Sequence, residues 1–171
     1  PGSPPPSASP SAGPSPAAIP PGFVEVRDDG GRFSIAYPAG WKRLGSPDPD
    51  VRLVAAGAQD DSLLVRTTRL GFRVGAGQLP AVRKLTDRIV QSGKGVRILS
   101  GPQEVEVGGL PGWFYFYSFK DPATGRRGAH SHYFLFRGRT MLGIVFQTIP
   151  AERFPRLAPV FDQIVGTFQP R

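Results

Sequence analysis

The stretch from Val96 to Thr148 constrains the fold of this chain more than any other. Apolar and aromatic residues alternate with polar ones through five segments, 96–100, 103–107, 112–120, 128–137 and 140–148. Gly108-Gly109, residues 121–126 and Gly138-Arg139 supply turn chemistry between them. A period of two marks strands with a buried face, and short turns make successive strands antiparallel neighbours. The block therefore predicts a meander within one sheet. Trp113, Phe114, Tyr115, Phe116, Tyr117 and Phe119 cannot all face water, so the sheet needs cover on its apolar faces.

The segments before this block supply more strands and one cover. Residues 23–26, 33–37, 41–44, 51–56 and 62–70 read as strands. Phe33, Ile35 and Tyr37 alternate with smaller residues until Pro38 and Gly40 stop the run, and Trp41 resumes it. In 62–70, Leu63, Val65 and Thr67 share one side and Leu64, Arg66 and Thr68 the other. A helix is predicted from Pro80 to Gly93, with Val82, Leu85, Ile89 and Val90 as its apolar stripe and Arg83, Lys84, Asp87, Arg88 and Gln91 in water. A second helix is expected within 151–166, where Phe154, Leu157, Phe161 and Ile164 recur at three- and four-residue spacing. Pro155 suits its first turn, whereas Pro159 in its interior costs about 3 kcal/mol. Strands, helix, meander and helix in that order predict an α+β fold with helices packed on a largely antiparallel sheet.

Residues 1–22 consist almost wholly of Pro, Ser, Ala and Gly, carry no charge and hold one large apolar residue, Ile19. Such a segment cannot bury enough surface to offset its ordering entropy, so it reads as a disordered spacer ahead of a single domain over 23–171. Because the chain begins at Pro1 rather than Met, the expectation is that a membrane anchor lies upstream: a signal peptide, a lipid-modified cysteine or a transmembrane helix. All 21 cations and 13 carboxylates follow Gly22, giving the domain a formal charge of +8. That balance favours anionic partners by long-range attraction. The cations are scattered over several elements and accompany no nucleic-acid-binding signature, so no nucleic-acid partner is expected.

Three pieces carry a family resemblance: Phe33-Ser-Ile-Ala-Tyr-Pro-Ala-Gly-Trp41, Val107-Gly-Gly-Leu-Pro-Gly-Trp113 and Phe161-Asp-Gln-Ile-Val-Gly-Thr-Phe168. Together they resemble the Mog1/PsbP-like superfamily, particularly exported bacterial lipoproteins and extracytoplasmic domains tethered behind Pro/Ser-rich linkers. The resemblance implies an α/β/α sandwich with a central antiparallel sheet. It also implies binding, assembly or scaffolding rather than one reaction. It carries no catalytic residues across, and the ion-related features of oxygen-evolving-complex members match no position here.

The sequence contains no cysteine, which excludes disulfides and thiolate chemistry, and no apolar run of membrane-spanning length. Gly75-Ala-Gly77 lacks the third glycine of a dinucleotide loop, and neither a Walker motif nor a Gly-x-Ser-x-Gly elbow occurs. His130 and His132 lie two apart on a predicted strand. If Lys120 pairs with Arg127 across the turn, they stand opposite Tyr117 and Tyr115 respectively, and four polar-tipped rings share a patch. Tyr115, Tyr117, His130 and His132 are thus the candidate ligand-binding residues; two imidazoles fall short of a zinc site. Ser131 points to the opposite face. No cofactor and no metal is expected.

The expected function is a non-enzymatic binding or scaffold domain outside the cytoplasm, in the cell envelope. Its partner would be a protein or a small anionic or amphipathic ligand, and membrane association would come through the upstream anchor. The alternatives are the sensor ectodomain of a membrane receptor such as a Ser/Thr kinase, and a hydrolase working through His130 and His132.

Overall fold

A computed structural model describes residues 18–58 and 60–171; most of the expected spacer, residues 1–17, lies outside the described residues. The chain runs β1 (Phe23–Arg27), β2 (Phe33–Pro38), β3 (Lys42–Leu44), β4 (Val51–Ala56), β5 (Ser62–Val74), α1 (Leu79–Gln91), β6 (Arg97–Val107), β7 (Leu110–Lys120), β8 (Arg127–Thr148), α2 (Phe154–Gly166) and β9 (Gln169–Pro170). Six strands form an antiparallel sheet in the order β3-β4-β5-β8-β7-β6. Each helix covers one face, which makes the α/β/α sandwich. No described helix is long and apolar enough to cross a membrane.

β8 runs without interruption over 22 residues. A straight strand of that length would reach roughly 70 Å. Its first half instead pairs with β7 over Arg127–Leu135 and its second with β5 over Gly138–Gln147. The His130 side chain meets that of Gln147 at 2.9 Å. The strand therefore reverses at Arg137-Gly138-Arg139, where Gly138 takes the left-handed φ of +59° that a tight reversal needs. The two predicted strands 128–137 and 140–148 are the two arms of this reversal.

β6 differs from its prediction as two strands. Pairing with β7 continues on both sides of Gly101-Pro102, and register shifts around Ser100 absorb the extra residues as bulges.

Side-chain alternation divides the core in two. Leu63, Val65, Leu135, Leu142, Ile144 and Phe146 join Phe161 and Ile164 of α2. On the other face Trp113, Tyr115, Tyr117, Phe134, Phe136 and Met141 join Leu79, Val82 and Val90 of α1. Burying each such side chain contributes about 1.5–3 kcal/mol. α2 accommodates Pro155 in its first turn and contains Pro159. Its packing outweighs the cost of that proline: Phe161 stacks on Phe146 at 4.8 Å and receives the edge of Trp41 at 6.4 Å.

A second, three-stranded sheet, β1-β2-β9, lies beyond the sequence expectation. β2 is buried on both sides, Ser34 and Ala36 as well as Phe33, Ile35 and Tyr37. Its hairpin to β1 is held by Asp28, which accepts Arg32 Nε at 2.7 Å and the Arg32 backbone N–H at 3.2 Å. Burial opposes ionisation of Asp28, but the bonds and charge of Arg32 outweigh it and hold the carboxyl below its ordinary range.

The three sequence landmarks meet in this region. Phe33 and Phe168 are 5.8 Å apart between ring centroids, and the Gly108 backbone lies so close that a Cβ there would come within 2.8 Å of the Phe168 carbonyl oxygen. The Thr167 hydroxyl accepts the Ala36 N–H at 2.8 Å and donates to the Ile164 carbonyl at 2.6 Å, tying α2 to β2.

Candidate functional site

The site follows from where α1 crosses its face of the sheet. Trp113 Nε1 donates to the Leu79 carbonyl at 2.9 Å, and the Tyr115 hydroxyl meets Thr86 Oγ1 at 2.8 Å and the Asp87 carboxylate. These bonds hold the helix over β7. Asp87, expected in water, is half-buried and takes the Tyr115 hydroxyl instead. Burial and the Asp87 bond together raise the Tyr115 phenol well above its ordinary range.

Beside the helix the sheet remains open over β5 and the second arm of β8. A groove of about 380 Å³ lies there, walled by Ile89 and floored by Leu64, Thr68, Phe134, Met141 and Val145, with Arg66 at its rim. Gly143 lies in the floor, where a Cβ would come 3.5 Å from Nε2 of His132. Nε2 thus faces the groove over a residue with no side chain, and no described group bonds to it. On the far side of Ile89, a hollow of about 360 Å³ is lined by Val90, Val96, Tyr117, Phe119, Lys120 and His130, among others. A larger hollow of about 480 Å³ at the β3–β4 edge is a polar surface cleft lined by residues such as Asp29, Arg43, Ser46 and Arg52.

The β7–β8 register is the one expected: Lys120 pairs with Arg127, Tyr117 with His130 and Tyr115 with His132. The four rings nevertheless do not form one patch. Tyr115 is fully buried beneath α1 and lines neither hollow. The other three form a hydrogen-bonded chain between the hollows. Gln147 Oε1 meets His130 Nε2 at 2.9 Å, His130 Nδ1 meets the Tyr117 hydroxyl at 3.1 Å, and that hydroxyl meets His132 Nδ1 at 3.0 Å. His132 stacks on Phe134 at 3.9 Å, and His130 lies tilted by 30° against Phe119 at 4.1 Å.

Burial, with a smaller contribution from His130, pushes the His132 imidazole down to about 3. Burial also lowers His130 against the opposing bond from Gln147, and raises the Tyr117 phenol. All three groups are uncharged at neutral pH. Ser131 is buried on the opposite face, and among the described residues no cluster of three or more His, Asp or Glu could hold a metal ion. The arrangement offers a largely apolar surface with His132 Nε2 as its acceptor nitrogen, the Thr68 hydroxyl in the floor and Arg66 at the rim.

Sequence reasoning located the ring chain but not the groove floor. The signals available were the half-buried Leu64 and Thr68 on the second side of β5, and Gly143 within a run of bulky residues.

The sandwich, its antiparallel sheet and one helix on each face define the Mog1/PsbP-like fold. Solved structures share it. The cyanobacterial PsbP (CyanoP) of Synechocystis sp. PCC 6803 superposes with a TM-score of 0.59 at 14% identity, covering 95% of this chain and 100% of that one. LpqN of Mycobacterium tuberculosis, described as involved in cell envelope biogenesis, gives 0.62 at 10% identity over 86% and 89%. The Ran-binding protein Mog1p of Saccharomyces cerevisiae gives 0.54 at 13% over 86% and 94%. No family model matches the sequence, and no curated protein matches it.

Proposed function

We propose that this chain is a non-catalytic binding domain of a bacterial cell envelope, held outside the cytoplasm by the spacer of residues 1–22 and an anchor upstream of it, and that its ligand is a small amphipathic molecule seated in the groove beside α1. The observation that carries the reading is the groove itself. A cavity of about 380 Å³ with a largely apolar lining and a few polar groups, His132 Nε2 among them, has the make-up of a small-molecule site. The fold shared with LpqN supports an envelope setting. A neutral His132 whose one described hydrogen-bond partner is the Tyr117 phenol, with no Ser, Thr or carboxylate bonded to it, supports binding over hydrolysis.

The test is titration with the neutral dye Nile red, followed by its fluorescence. Binding at one site is expected, with loss of binding in Gly143→Trp, whose side chain would occupy the groove, while circular dichroism and the urea midpoint confirm that the variant folds. Dye binding unchanged in a folded Gly143→Trp variant would remove the groove from consideration.

A further inference from the structure

Resting on the groove as a ligand site, we infer that His132 presents an unprotonated, hydrogen-bond-accepting Nε2 to the ligand, so that the site selects uncharged amphiphiles whose head group donates a hydrogen bond, such as a primary amide or an alcohol, over esters and carboxylates. The polarity follows from the chain of side chains behind the groove. Gln147 meets His130 through its carbonyl oxygen, Oε1, which only accepts. His130 Nε2 therefore carries the proton, and in a neutral ring His130 Nδ1 is then an acceptor. The Tyr117 hydroxyl must donate to it. Its single proton spent, Tyr117 can only accept from His132, so His132 Nδ1 carries the proton of that ring. Nε2 is left with its lone pair directed at the groove over Gly143.

The same chain makes the acceptor permanent rather than adjustable. Moving the proton of His132 from Nδ1 to Nε2 would leave two lone pairs facing each other at Tyr117 unless every member, including the Gln147 amide, turned over together. A donating head group satisfies Nε2. An ester presents a second acceptor, and an ionised carboxylate adds a charge in an apolar surround. Arg66 at the rim offsets little of that charge, because its guanidinium is half-exposed to water and shares its charge with Asp48.

Two measurements on the full chain test this. In the first, decanamide, decanol, methyl decanoate and decanoate compete with Nile red at neutral pH. The amide and the alcohol are expected to bind roughly tenfold tighter than the ester, the fold-change of one neutral hydrogen bond at its upper range, with decanoate weakest. The preference should vanish in His132→Phe. It should also vanish in Gly143→Ala, whose methyl group covers Nε2 at ordinary contact distance and leaves the ring chain intact. An ester that binds as well as the amide overturns the inference. If none of the decyl compounds displaces the dye, the groove as a site for such amphiphiles falls, and this inference with it.

The second measurement needs no ligand. Imidazole nitrogen-15 shifts should show the proton on Nδ1 in His132 and on Nε2 in His130. The reverse pair of tautomers overturns the polarity even if the groove binds amphiphiles.

Discussion

Acidification from pH 7 to pH 5 should destabilise this fold through His132, and replacing that residue should remove the effect. The folded-state value of His132 is about 3, against an ordinary imidazole value of 6.5. Between those values the unfolded chain binds a proton that the folded chain refuses. Stability is therefore complete above 6.5 and is lost as pH falls from 6.5 towards 3. At pH 5 the loss from this one residue is about 2 kcal/mol, from the free energy of protonating an ordinary imidazole in the unfolded chain. His130 is lowered in the same sense and adds to it. The carboxylates do not imitate the effect in this window. Asp28, held below its ordinary range, loses its contribution only in more acid solution, and Asp61, raised by burial despite its 2.8 Å pair with Arg153, shifts stability in the opposite direction.

The assay is urea unfolding followed by the fluorescence of Trp41 and Trp113. Wild type should lose about 2 kcal/mol or more between pH 7 and pH 5 with an unchanged dependence on urea, and the loss in His132→Phe should be smaller by about 2 kcal/mol. An equal loss in the two proteins would refute the reasoning, since His132 would then not be the group that refuses the proton.

Three substitutions test other parts of the structure. Tyr115→Phe removes the hydroxyl bonded to Thr86 and Asp87 and should cost about 1–3 kcal/mol in urea unfolding, with faster amide exchange in α1 than elsewhere. Gly112→Ala would place its Cβ on the Phe134 carbonyl oxygen and within 2.9 Å of Leu135, so a loss of about 1–3 kcal/mol or more is expected; a urea midpoint unchanged from wild type would contradict the close approach of β7 and β8. Thr167→Val strands the buried Ala36 N–H and should lower stability by about 1–3 kcal/mol, whereas Thr167→Ser, which keeps the hydroxyl, should recover most of it.

Much of the fold was legible because its signals are local. The turn between Lys120 and Arg127 sets the register of β7 and β8, and from that register the pairing of Tyr117 with His130 and of Tyr115 with His132 follows by counting. The alternation in 62–70 likewise placed Leu63 and Val65 on one side and Leu64 on the other. What was not legible depends on contacts between distant elements. The position of α1 across the sheet is set by Trp113 on Leu79 and Tyr115 on Thr86, and no pattern within 79–91 reveals that a groove beside it stays open. The second sheet depends on β9, which at two residues is too short to show any periodicity. The donor–acceptor order of the ring chain required Gln147, 17 residues from His130 and brought to it only by the reversal at Gly138.

The latch between Ala36 and Thr167 spans 131 residues of chain, and this sets a schedule for biosynthesis. At ribosomal speeds of about 5–20 residues per second, β2 emerges roughly 7–26 seconds before the threonine that satisfies its backbone and the strand that pairs its second edge. Throughout that interval Phe33, Ile35 and Tyr37 have β1 as their one strand partner, and their other flank presents an apolar, unpaired edge. In the cell, the nascent chain is therefore exposed to chaperones and self-association at β1 and β2 until α2 and β9 have been made, and only then does this part of the domain close.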